Sequence, residues 1–182
     1  MTIKFQQINK KSRIESDNYQ TPKEALDCLI PYLKKKWLIW ECACGNKNLV
    51  NRLEGLGFKV VGSDIKTRTD FLKQTLVDKD FNSNFDCIIT NPPYSLKDKF
   101  IERSYELKKP FALLMPLTAL EGIKRQKLYI NFGLQLIIFN KRICFELEDG
   151  TKTKGNWFAS AWFTNGLNLP KDINFVGTNE RI

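Results

Sequence analysis

The chain has 182 residues, 42% of them hydrophobic and 27% charged, which suits one soluble globular domain with a full core. It carries a net charge of +9 and no histidine, so Ser-His-Asp and Cys-His hydrolases, histidine metal sites and imidazole acid–base chemistry are excluded. The basic surplus points to a polyanionic partner, nucleic acid before others.

Residues 1–18 are polar and basic, with Lys10, Lys11 and Arg13, and read as an N-terminal arm. The opening lacks the apolar stretch of a signal peptide, and no apolar run is long enough to span a bilayer, so a cytoplasmic protein is expected. Residues 19–182 read as one domain without room for a separate target-recognition domain. Thr21, Pro22 and Glu24 make a helix start: an N-cap, a proline in the first position and the far end of a capping box. Leu26, Leu29, Ile30 and Leu33 continue at helical spacing to Lys34-Lys35-Lys36.

Trp37–Trp40 reads as a buried strand, and Glu41–Gly45 as a turn into a helix through Leu49, Val50, Leu53 and Leu56 that Gly57 stops. A second strand, Phe58–Gly62, ends just before Asp64, and a third, Phe85–Thr90, runs into Asn91-Pro92-Pro93-Tyr94. Ser95 and Asp98 predict a capping box for a helix to about Leu107. Phe111–Met115 reads as a strand and residues 119–132 as a basic helix, whose Lys124, Arg125 and Lys127 are candidates for phosphate contacts. Leu134–Phe139 and Trp157–Phe163 are the last two strands, separated by a polar segment with an Asp149-Gly150 turn signal.

This alternation predicts an α/β fold of Rossmann-like type: a mostly parallel sheet, helices on both faces and a terminal antiparallel hairpin. Ligands of such sheets bind at the carboxyl ends of the strands, where the turn after Glu41, the acids Asp64 and Asp70 and the Asn91 loop all fall. The five cysteines are odd in number and sit mostly in apolar patterns, so reduced thiols are expected; Cys42 and Cys44 are too close for a zinc half-site.

Asn91-Pro92-Pro93-Tyr94 is the most informative stretch. Two prolines end the strand ladder and leave a stiff loop with an amide at its base and an aromatic ring at its tip. An amide oxygen and a nearby carbonyl can together accept both hydrogens of an amino group while the ring stacks beside it. Upstream, a glycine turn that opens a helix allows close backbone approach to a ligand. An acid at the end of the second strand suits the hydroxyls of a ribose. An adenosine cofactor follows, and S-adenosylmethionine fits beside an amine-binding loop.

The chain resembles the N6-adenine DNA methyltransferases, especially the short forms of phages and prophages. The resemblance lies in Tyr19-Gln20-Thr21-Pro22, in Glu41-Cys42-Ala43-Cys44-Gly45-Asn46-Lys47, in Asp64-Ile65 and Asp70-Phe71, and in Asn91–Tyr94. Arg142–Phe145 and Trp157–Ser160 resemble the aromatic region those enzymes place near the target base. It implies S-adenosylmethionine as cofactor, held by Tyr19, Thr21, Pro22, Glu41, Ala43, Gly45, Asp64, Ile65, Asp70, Phe71 and Asn91. It implies a flipped adenine of double-stranded DNA held by Asn91, Pro92, Pro93 and Tyr94, with the Asn91 oxygen and the Pro92 carbonyl accepting the amino hydrogens. RNA adenine, protein glutamine and nucleic-acid binding without chemistry remain as alternatives. One departure stands out: Lys47 occupies the place of the family's second glycine.

Overall fold

The computed structural model describes residues 19–67, 69–73, 84–146, 151, 153 and 158–176. The arm 1–18, the Asp149-Gly150 turn and Trp157 lie outside the described residues. Among the described residues seven strands form one sheet: β1 Leu38–Glu41, β2 Lys59–Gly62, β3 Cys87–Thr90, β4 Phe111–Pro116, β5 Gln135–Phe139, β6 Ser160–Asn165 and β7 Ile173–Val176. Their order is β2-β1-β3-β4-β6-β5-β7. All run parallel except β6, which lies antiparallel between β4 and β5. The expected Rossmann-like α/β class is what forms.

Every residue of β3 and β4 is buried, because helices cover both faces and the strands need no polar side. Side chains alternate between the faces. Ile39, Cys87, Ile89, Leu114 and Trp162 pack with helices α1 (Lys23–Asp27) and α2 (Asn48–Gly55). Trp40, Ile88, Leu113, Met115 and Phe163 pack with α3 (Lys97–Glu106) and α4 (Ile123–Phe132).

Four expectations are corrected. The first helix was expected to reach Lys36 but ends at Asp27, and only a 3₁₀ turn, Ile30–Tyr32, follows. Pro31 explains this, since its ring collides with the carbonyl four residues back and it lacks an N–H to donate. The N-cap of this helix is Pro22 rather than Thr21, and among the described residues no side-chain cap hydrogen bond forms there. The Ser95–Asp98 box does not frame α3, whose N-cap is Leu96 after a 3₁₀ turn at Tyr94–Leu96. The β5–β6 antiparallel pair is present but not terminal, because β7 adds a further parallel strand beside β5.

Lys47 adopts the left-handed conformation, φ 63° and ψ 15°, immediately before α2. A side chain there crowds the carbonyl that follows, which glycine avoids. Lys47→Gly is therefore expected to stabilise the fold by about 1 kcal/mol, less what glycine adds to the unfolded chain's entropy. Urea unfolding at constant m-value checks this.

Candidate active site

Parallel pairing of β1 and β2 continues past the strand ends as a zipper of backbone bonds. Ser63 N–H donates to the Glu41 carbonyl (2.8 Å), and Cys44 N–H to the Ser63 carbonyl (2.9 Å). The buried Trp40 indole N–H holds the Ser63 hydroxyl at 2.8 Å. Asp64 is thereby set against the glycine turn: Gly45 N–H donates to its Oδ2 (3.0 Å) and Lys66 N–H to its Oδ1 (2.9 Å). Gly45 is at φ +45°, and a β-carbon there would stand 3.3 Å from the Gln20 amide. The positive φ favours glycine at this position, and a β-carbon would make the Gln20 side chain give by a few tenths of an ångström.

These elements enclose a cavity of about 610 Å³ at the carboxyl edge of the sheet. Its lining includes Tyr19, Thr21, Glu41, Ala43, Gly45, Asp64, Ile65, Asp70, Phe71, Asn91 and Pro93. Pro22, Pro92 and Tyr94 are not among the lining residues. Ile65 is 68% exposed, an aliphatic group on the cavity wall suited to cover a flat ring. Opposite in character, Phe71 is buried and stacks on Phe100 with ring centres 4.8 Å apart. Asp70 accepts from the Leu72 N–H through Oδ1 (3.0 Å) and pairs with Lys73 (3.4 Å).

Glu41 is 1% exposed, and burial pushes its carboxyl up to about 8, with nearby Asp64 adding to the rise. The Thr90 hydroxyl and the Ala43 N–H, 3.0 Å away, pull the other way. The folded protein thus keeps a proton that the unfolded chain releases near 4.5. The folded state binds more protons across that window, so stability falls as pH rises from about 4.5 to about 8 and levels off beyond. Glu41→Gln should remove this decline, and paired thermal melts across the window check it. A cationic ligand beside Glu41 would draw the proton off.

Asn91 stands where the cavity meets an aromatic patch. Its Nδ2 donates to the Tyr19 carbonyl at 2.8 Å, and among the described residues nothing donates to its Oδ1. The Pro93 carbonyl is taken by Leu96 N–H (2.9 Å), whereas that of Pro92 accepts no bond from the described residues. The patch is built by Tyr94, Phe158, Phe145 and Tyr19. Tyr94 meets Phe158 edge-on at 5.5 Å, and Tyr19 stacks on Phe145 at 5.5 Å.

The three basic candidates of α4 do not act together. Lys124 and Lys127 are exposed. Arg125 is instead bound into the protein, its guanidinium pairing with Asp98 and donating through Nε to the Ala119 carbonyl (2.9 Å). Exposed Lys66, Lys73 and Lys99 line the cavity, which no motif suggested. Arg52 and Glu146, which tie the 19–21 segment down, were also missed, since they are 94 residues apart.

No family model matches the sequence, and no curated protein matches it. One solved structure with a similar fold is the "modification subunit of a putative type I restriction enzyme" from Vibrio vulnificus YJ016, 13% identical with a TM-score of 0.47. The match covers 88% of this chain and 48% of that one. A second is a "predicted O-methyltransferase" from Agrobacterium tumefaciens, 12% identical with a TM-score of 0.36, covering 77% of this chain and 65% of the other. The chain therefore spans about half the length of the first and under two thirds of the second. No helix among the described residues is long and apolar enough to cross a membrane.

Proposed function

We propose that the chain is an S-adenosylmethionine-dependent methyltransferase acting on N6 of adenine in DNA, of the kind that phages and prophages encode. The observation that carries this reading is the Asn91 amide. The Tyr19 carbonyl takes its N–H at 2.8 Å, which fixes the amide's orientation and leaves Oδ1 as an acceptor between the cavity and the aromatic patch.

The cavity suits the cofactor. Its volume lies in the range of small-molecule sites, and its wall joins three acids to aliphatic and aromatic surface. Glu41, Asp64 and Asp70 would face the cationic and hydroxyl-bearing parts, Ile65 and Phe71 the adenine, and Ala43, Gly45 and Thr21 the chain between. Pro22 contributes by starting α1 beside the cavity. When bound, S-adenosylmethionine supplies an electrophilic methyl group.

The chain's own residues handle the acceptor. Asn91 Oδ1 and the Pro92 carbonyl accept the two amino hydrogens, which favours a pyramidal nitrogen with an available lone pair. Pro93 and Pro92 keep the loop stiff, so little reorganisation is needed. Tyr94 and Phe158 offer ring surface to a flipped base, whose unstacking costs a few kcal/mol. The amine becomes acidic only after transfer and gives its proton to water, so the missing imidazole is no obstacle. Lys124 and Lys127, with the lysines lining the cavity, are suited to the DNA backbone.

The test is transfer of a labelled methyl group to unmethylated duplex DNA, single-stranded DNA, bulk tRNA and a release factor. Label recovered as N6-methyladenine in DNA supports the reading, and label only in tRNA or protein replaces it with one of the alternatives. Left-handed Lys47 favours one rival, a fold that binds nucleic acid without chemistry. Calorimetry separates them, because that rival shows no heat with S-adenosylmethionine.

A further inference from the structure

Segment 19–21 touches both halves of the site. On the cofactor side, the Gln20 amide lies against Gly45 and Thr21 lines the cavity. On the acceptor side, the Tyr19 carbonyl orients Asn91 and the Tyr19 ring stacks on Phe145. Three residues of extended chain would not hold such a position unaided, since their entropy opposes it.

One ion pair supplies the restraint. Arg52 projects from α2, the helix that the glycine turn opens, and donates through Nη1 to the Thr21 carbonyl. Its Nη2 donates to both oxygens of Glu146, at 3.2 and 3.0 Å. Glu146 follows Phe145 directly and exchanges two backbone bonds with Gln20, at 2.8 and 3.1 Å. Both side chains are largely buried, at 27% and 16% exposure, so the pair is shielded from the screening that weakens surface ion pairs. The guanidinium fork thus joins the cofactor-turn helix, the strap over the cavity and the Phe145 segment.

Resting on the methyltransferase reading, we infer that Arg52 and Glu146 are positioning residues whose pairing makes cofactor and acceptor DNA bind cooperatively through the 19–21 strap. A cofactor that packs against the strap further stabilises the arrangement that already orients the Asn91 amide and the Phe145–Tyr19 stack, so the second ligand meets a more firmly held site. Lysine cannot replace Arg52, because one ammonium cannot keep the same planar fork on a carbonyl and a carboxylate.

The test measures the dissociation constant of S-adenosylhomocysteine with and without a duplex that the wild type methylates. The wild-type ratio is expected to be about tenfold, a typical coupling between sites. Glu146→Gln, which keeps the side chain's shape, should bring the ratio close to one, and Arg52→Lys should fail to restore it. A Glu146→Gln protein that melts like the wild type and keeps the full ratio overturns the inference. So does one that loses cofactor affinity equally with and without DNA, since that marks a purely structural role. If Arg52 variants do not fold, Glu146→Gln carries the test alone. A wild type that binds cofactor and methylates DNA without coupling overturns the inference while the methyltransferase reading stands. A wild type that binds no cofactor overturns both.

Discussion

Asn91→Ala is expected to lower the turnover of methyl transfer by at least about 10²–10³-fold while leaving cofactor affinity in the absence of DNA near the wild-type value. On the proposed mechanism the loss is large because the oxygen of this side chain acts on the nitrogen that reacts, and the bond to Tyr19 orients it before the acceptor arrives. Asn91→Asp makes a sharper comparison. It keeps an acceptor oxygen but removes the N–H that the Tyr19 carbonyl takes, setting two oxygens against each other at 2.8 Å. Single-turnover measurements with labelled cofactor, alongside calorimetry, separate chemistry from binding. An alanine variant with near-normal turnover would remove Asn91 from the reaction.

Asp64→Ala should act on the other half of the site, raising the cofactor dissociation constant by about 10–100-fold while changing turnover at saturation far less. Its carboxylate has two duties. Each oxygen accepts a backbone N–H, from Gly45 and from Lys66, which fixes the carboxylate on the cavity wall where the proposed cofactor's ribose would lie. Asp64→Asn cannot take over both, because its amide nitrogen must then face one of those N–H groups. Asparagine is therefore expected to fall nearer to alanine than to aspartate. Titration with S-adenosylhomocysteine gives the answer directly.

Strand positions were legible because β3 and β4 are buried on both faces and so read as unbroken apolar runs. Much of the candidate cofactor site was legible for a related reason. Its residues sit at strand ends, where one motif marks one place, and the sheet brings Glu41, Gly45, Asp64 and Asn91 to a single cavity. What went astray was decided by distance or by a single residue. Pro31 outweighed four well-spaced leucines and isoleucines and ended α1 early. Arg125 looked like one cation of a basic stripe, but its partner Asp98 is 27 residues back on another helix. Strand β7 has only four residues, with the apolar Ile173 and Phe175 exposed and Asn174 and Val176 half-buried, so neither a long apolar run nor an apolar-inside alternation announced it. Arg52 and Glu146 carry no local signal at all, since no periodicity links a helix residue to a loop carboxylate so far away.

The place of β6 has a consequence for how the chain acquires its structure during synthesis. Strand β5 has two neighbours in the sheet, β6 and β7, and both follow it in the sequence. As the chain leaves the ribosome, β1 to β4 can assemble in turn, whereas β5 has nothing to join until residue 160 and beyond have emerged. Strand β6 must then enter antiparallel between two strands already made, closing a long loop at an entropic penalty before its contacts form. A nascent chain stopped before residue 158 leaves the β4 edge bare and Tyr94 without its Phe158 neighbour, so the aromatic patch is completed only after β1 to β4 have assembled.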